Sequence, residues 1–228
     1  MRFKELVNIV LSEFVRLVLR ITHKLVPKIT KFFNYKGIKL YIPEGIFNPV
    51  FTLSSSLIIS NLEPQGIVAD LGCGSGILSI YSALNPEVKV VYAYDVNIKA
   101  LAVTAINSRV NGVNNKVKIL CSINDLLKVK VDYVLINPPY LPINPRDSLD
   151  INWCCGKSLE CIKELLNLSL NITHEHSKVL LTFSSLTNIK ELAKIISGFN
   201  IRFKVIAYRR AVIDTIYLAL IEPTKKRE

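Results

Sequence analysis

The chain has 228 residues, of which half are apolar and 9 are glycine. That length suits one α/β domain and is too short for two ordinary cores, and the composition excludes a disordered or fibrous chain. With 29 basic and 18 acidic residues the net charge is +11, which fits phosphate-rich partners such as tRNA, rRNA or a ribosome-associated factor and equally fits a basic surface with no nucleic-acid role.

From Arg2 to Lys24 the polar residues Lys4, Asn8, Ser12, Arg16, Arg20 and Lys24 recur every four positions, the pattern of an amphipathic helix. Pro27 is expected to end it. Residues 1–35 carry seven bases against two acids and read as a basic helical extension ahead of a domain over 36–228. The extension suits a substrate platform, a partner-binding helix, a membrane-surface helix, or a helix packed on the domain with a solvated basic edge. Glu13, Arg16 and Arg20 interrupt its apolar run, and no run is long enough to span a bilayer, so neither export nor membrane insertion is expected and the location is expected to be cytoplasmic.

Beyond a loop at 34–50, short β-branched runs alternate with longer helical ones. Strands are predicted at 66–71, 88–94, 117–120, 131–136, 178–183, 201–208 and 214–221, and helices at 76–84, 98–111, 158–172 and 188–197. This order implies a Rossmann-like, doubly wound, mostly parallel seven-stranded α/β sheet with an antiparallel C-terminal strand, plus the N-terminal amphipathic helix. The tail Lys225-Lys226-Arg227 reads as a solvated terminus. Cys73, Cys121, Cys154, Cys155 and Cys161 are odd in number and lack framework spacing, so they are expected to be reduced thiols, with Cys154, Cys155 and Cys161 packed as small hydrophobes. Cys154, Cys155 and Cys161 with His174 and His176 do not have zinc-site spacing, and no metal site is expected.

Asp70-Leu-Gly72-Cys73-Gly74-Ser-Gly76 falls between a predicted strand and a predicted helix, where glycines let the backbone turn and approach a ligand. A nicotinamide-binding loop would need glycine at 77, where this chain has Ile77. The spacing instead resembles the first motif of S-adenosylmethionine-dependent Rossmann-like methyltransferases. Asp95 ends the next strand, where a carboxylate can accept both hydroxyls of an adenosine ribose or cap the following helix. After the third strand, Asp125 can accept from an adenine amino group or cap a short turn, and Asn124 beside it is a further candidate for the cofactor site.

Strand 131–136 runs into Asn137-Pro138-Pro139-Tyr140. Two prolines fix the backbone and hold the preceding carbonyls outward. The Asn137 side-chain oxygen and the Pro138 carbonyl can then accept both hydrogens of a planar NH2 group, with Tyr140 stacked on it. Together with the glycine run, Ala102, Ala105, Asn107 and Asn111-Gly112, this string resembles the HemK family of N5-glutamine methyltransferases. Asp150-Ile-Asn-Trp153-Cys-Cys-Gly156 is similar to a segment of its shorter archaeal and eukaryotic branch. The resemblance implies S-adenosylmethionine as cofactor, with Asn137 also touching it. It implies the glutamine of the Gly-Gly-Gln motif of a class I translation release factor as acceptor, and a small zinc-binding activator as possible partner. Adenine-N6 and some guanine-N2 methyltransferases share the Asn-Pro-Pro-Tyr string, so an rRNA or tRNA base amine is the alternative, and a non-catalytic binding subunit of the same fold is a third reading. Where the branch usually carries acids ahead of the first strand, this chain reads Phe47-Asn48-Pro49-Val50-Phe51-Thr52. Phe47, Tyr140 and Trp153 are candidates to exclude water, Trp153 either as core anchor or as lid.

Overall fold

The valine- and isoleucine-rich runs form the strands of one sheet. The structure, a computed structural model, describes residues 3–224; Arg2 and the tail Lys225 to Arg227 lie outside the described residues. β3 (Gly66–Leu71), β4 (Val88–Tyr94), β5 (Val117–Leu120), β6 (Val131–Ile136), β7 (Thr173–Ser184), β8 (Ile201–Arg210) and β9 (Thr215–Pro223) are ordered β5-β4-β3-β6-β7-β9-β8. β3 is parallel to both β4 and β6, β5 is parallel to β4 and β7 to β6, while β9 runs antiparallel between β7 and β8. This is the doubly wound sheet expected from the alternation of strands and helices.

Side-chain alternation divides the core. Val68 and Leu135 face one layer with α3 (Ile77–Leu84) and α4 (Ile98–Val110). Ala69, Leu71, Val134 and Ile136 face the other, with α6 (Glu160–Ile172) and α7 (Ile189–Ser197). Leu71, Leu135 and Ile136 have no exposed surface, and burial of each is worth roughly 1.5–3 kcal/mol. A short α5 (Ile123–Leu126) follows β5. Strand order reverses between β3 and β6, so the loops leaving their carboxyl ends diverge and open a crevice there. Leu71 pairs with Ile136 in the register, which brings Gly72 and Asn137 to the same edge.

Three parts of the chain differ from the sequence expectation. The helix α1 (Phe3–Ile29) runs through Pro27 for a further two residues; a proline this near the end removes one hydrogen-bond donor without breaking a long helix. The stretch read as a loop, 34–50, holds most of a hairpin, β1 (Phe32–Tyr35) and β2 (Ile38–Tyr41), and the start of a 3-10 turn at Pro49–Phe51; α2 (Ser54–Ile59) follows where no element was predicted. The hairpin's two-residue turn has positive φ at both Lys36 and Gly37, a geometry usually signalled by Asn or Asp at the first position. Finally, Cys155 and Cys161 are joined in a disulfide with their Cα atoms 5.7 Å apart, whereas Cys73, Cys121 and Cys154 are free. Positive φ at Gly156 and Leu159 turns the chain back, so two cysteines expected to be packed thiols meet.

α1 packs on the domain with the middle of its polar side turned inward, while Lys24 and Lys28 near its end stay exposed as a basic edge. Arg16 is buried, gives a hydrogen bond to the Asn144 carbonyl (3.1 Å) and pairs with Glu13 and Asp150. Arg20 pairs with Asp147 at 2.7 Å and Asp150 at 2.5 Å. Asp150 is fully buried, a position a carboxylate holds only when its charge is compensated. Ile9, Leu11, Val15 and Leu19 pack beside this network on Leu141, Ile143, Leu149 and Trp153.

Candidate active site

The glycine loop leaves β3 and is held by its neighbour strand: Gly72 and Cys73 donate to the Tyr94 carbonyl at 2.8 and 3.1 Å. Gly76 has φ +81°, and a Cβ there would come within 2.8 Å of Thr104 on α4, so close helix packing excludes any side chain. Gly72 is different. Its φ is +78° and a Cβ there would meet nothing within 4 Å, so the loop leaves open space where a ligand can approach the backbone.

That space belongs to a cavity of about 1200 Å³. Asp70, Gly72, Cys73, Gly74 and Asp95 line it, as do Asn137, Pro138, Pro139 and Tyr140. Asp95 accepts from the Gly74 N–H at 2.9 Å and the Asn97 N–H at 2.8 Å, one on each oxygen, which leaves each oxygen a lone pair for a hydroxyl. Burial raises its pKa. Asp70 is buried at the end of β3, accepts from Ser79 Oγ at 2.5 Å, and has its pKa pushed up to about 7, chiefly by burial. These features fit an adenosine-bearing cationic cofactor: an open glycine turn, a diol acceptor and a buried acid.

Asn124 and Asp125 are not among the residues lining the cavity; Asp125 instead pairs with Lys128 at 2.7 Å in solvent. Their neighbours Ile123 and Leu127 do line it, together with Val96. Val96 is 84% exposed. These apolar contacts were missed because a single exposed valine or isoleucine carries no sequence signal, although Val96 follows Asp95 directly.

At the other wall, Asn137 donates from Nδ2 to Ser55 Oγ (3.2 Å) and accepts on Oδ1 from Thr182 Oγ1 (2.7 Å). Ser55 and Thr182 are buried, so two fixed hydroxyls hold the amide plane while one Oδ1 lone pair stays free. Neither hydroxyl was anticipated, because α2 and β7 reach Asn137 only through the fold. Tyr140 has its hydroxyl pKa raised, first by burial and then by Asp214, and acts as a neutral ring. Its N–H and that of Leu141 donate to the Trp153 carbonyl. Trp153 is buried and also lines the cavity, so core anchor and cavity wall are one role.

The segment Phe47 to Thr52 lies across the site with Phe47 against Gly74. It is held from α1: His23 is buried, accepts the Asn48 N–H on Nε2 at 3.0 Å, and bonds through Nδ1 with the Leu19 carbonyl at 2.8 Å. Burial lowers its pKa, which matches a neutral ring with the proton on Nδ1. On the other side Asn107 and Asn111 of α4 bridge to β2, and Asn107 also donates to the Ser75 carbonyl in the glycine loop at 2.9 Å. The two asparagines noted in the sequence therefore tie cap, loop and helix together.

Residues 39–148 match the family model of the methyltransferase small domain. Among curated proteins, a putative protein N5-glutamine methyltransferase of Methanocaldococcus jannaschii is 32% identical over 120 residues, half of this chain and 57% of that one. The ribosomal RNA small subunit methyltransferase C of Serratia proteamaculans is 32% identical over 91 residues, 39% of this chain and 26% of that one. The chain therefore spans a quarter to little over half the length of these relatives. Among solved structures, Trm5 of Methanocaldococcus jannaschii in complex with adenosine superposes with TM-score 0.60 at 19% identity, covering 86% of this chain and 56% of that one. The ribosomal protein L11 methylase of Lactobacillus delbrueckii gives TM-score 0.57 at 18% identity, over 80% and 84% of the two chains. The fold is that of the Rossmann-like methyltransferases.

Proposed function

We propose that the chain is an S-adenosylmethionine-dependent N-methyltransferase that acts on a glutamine side chain, that of the Gly-Gly-Gln motif of a class I release factor. The observation that carries the reaction class is the one cavity lined both by the glycine loop with Asp95 and by Asn137 to Tyr140. The likeness to the putative N5-glutamine methyltransferase, which takes in 57% of that protein against 26% to 32% of the rRNA enzymes, supports glutamine as acceptor.

When bound, the cofactor supplies a methyl group made electrophilic by its sulfonium. Asp95 accepts the ribose hydroxyls on its two remaining lone pairs, and Asp70 offers negative charge to the cationic end. Val96, Ile123 and Leu127 flank the adenine. An amide nitrogen is a poor nucleophile because its lone pair is delocalised. Asn137 Oδ1 and the Pro138 carbonyl accept its two hydrogens and stabilise the positive charge that grows there; once the new N–C bond has formed, one of those hydrogens leaves as a proton to solvent and the neutral N-methyl amide remains. Holding the nitrogen in line is worth roughly 7–11 kcal/mol. Phe47, Tyr140 and Trp153 keep water out, which favours a transfer in which one positive charge is spread between donor and acceptor.

The net charge of +11 and the rRNA relative favour a second reading, methylation of an rRNA or tRNA base amine. Labelled methyl transfer into fractionated cell extract separates the two. The expected result is label in protein, located by mass spectrometry on one glutamine of a release factor, with or without a small zinc-binding partner subunit. Label on a base amine, with release factors unmodified, overturns the glutamine reading.

A further inference from the structure

α1 sits on the domain with its polar residues Ser12, Arg16 and His23 buried, while Val10, Phe14, Leu17, Ile21, Leu25 and Ile29 face solvent. We propose that this outer face lays the protein on an anionic lipid surface. At 3.6 residues per turn the six side chains fall within about 120° of the circumference and extend along about 29 Å. A soluble protein does not leave a continuous apolar face of that size uncovered without a partner for it.

The shape of the stripe favours a flat apolar medium over a second helix. A partner helix covers a narrow seam of two positions in seven, whereas Phe14, Leu17, Val18, Ile21 and Leu25 are all exposed, a wider face than one seam uses. The apolar residues instead follow the turn of a straight helix through Leu25 and Ile29, so the face stays broad and open. Charge points the same way. Lys24, Lys28 and Lys31 are exposed at one end of the stripe. Two copies joined in parallel along this face would set these bases against one another. Acidic headgroups neutralise them, with the lysine stems lying along the apolar boundary. Among the described residues no helix is long and apolar enough to cross a membrane, so the contact is peripheral, with α1 lying in the interface.

The test is sedimentation of the full chain with vesicles of phosphatidylcholine alone and with vesicles in which part of it is replaced by phosphatidylglycerol, after light scattering has established the oligomeric state. Binding to the anionic vesicles is expected to exceed binding to the neutral ones by at least about tenfold, since each surface base contributes a factor of about five. Lys28→Ala with Lys31→Ala should lower it by about 25-fold. Leu17→Glu with Ile21→Glu should abolish it while leaving the thermal unfolding temperature unchanged, because both positions are already solvent-facing. Retention in the supernatant, equal binding to both kinds of vesicle, or a stable dimer that the Leu17→Glu, Ile21→Glu chain fails to form would each overturn the proposal.

Discussion

Asp70 has almost no contact with solvent, and burial holds its carboxyl near pH 7 in the free protein. A cationic ligand favours the ionised form, so below about pH 7 binding must expel a proton and affinity falls, whereas above it the acid is already charged. Calorimetric titration with S-adenosylmethionine is expected to show tighter binding at about pH 8 than at about pH 6, and Asp70→Asn should flatten the profile; a wild-type affinity independent of pH would place the cation elsewhere. Asp95 acts by hydrogen bonding to the ribose. Asp95→Ala should weaken cofactor binding by about 1.5–3 kcal/mol, the range for hydrogen bonds to a charged group. Unchanged affinity in a folded variant would remove the ribose assignment. At this scale the sequence was legible where chemistry and local spacing coincide, as in the glycine run, Asp95 and Asn137. It was silent on Ser55 and Thr182, whose hydroxyls reach Asn137 from 82 and 45 residues away.

Among the elements, α1 departs furthest from a local reading. Its four-residue polar period was visible, but the same period serves a helix with its basic side out or its basic side in. The choice was made by Asp147 and Asp150, which lie 127 and 130 residues from Arg20. Removing α1 strips both guanidinium groups from the buried Asp150, and breaking a buried ion pair costs about 3–5 kcal/mol. Urea unfolding of the chain lacking residues 1–29 should therefore show a loss of at least that size, and unchanged stability would make α1 a dispensable appendage. The strands were easier to place: runs of valine and isoleucine bounded by turns gave all seven strands of the main sheet. The hairpin at 32–41 was missed because Lys36 occupies a left-handed position that sequence patterns assign to Asn, Asp or Gly.

For the whole molecule, cysteine chemistry and the shared cavity follow from how distant parts meet. With Cys155 and Cys161 bonded, titration of the unfolded, unreduced protein should reveal three free thiols and the reduced protein five; five in both would mean the pair is open. The cavity forms because β3 and β6 are neighbours at the point where strand order reverses, so a loop that admits a cofactor and a turn that admits an amine share one edge. Methyl transfer from labelled S-adenosylmethionine into cell extract, compared for the wild-type chain and Asn137→Ala, tests that juxtaposition most directly. The variant should keep nearly all of its cofactor affinity, which rests chiefly on Asp95 and the glycine loop, and lose transfer by about a hundredfold or more, the effect of removing one positioned polar contact to a reacting group. Transfer at near wild-type rate would contradict it, because the amine would then be held somewhere other than the edge shared by Gly72 and Asn137.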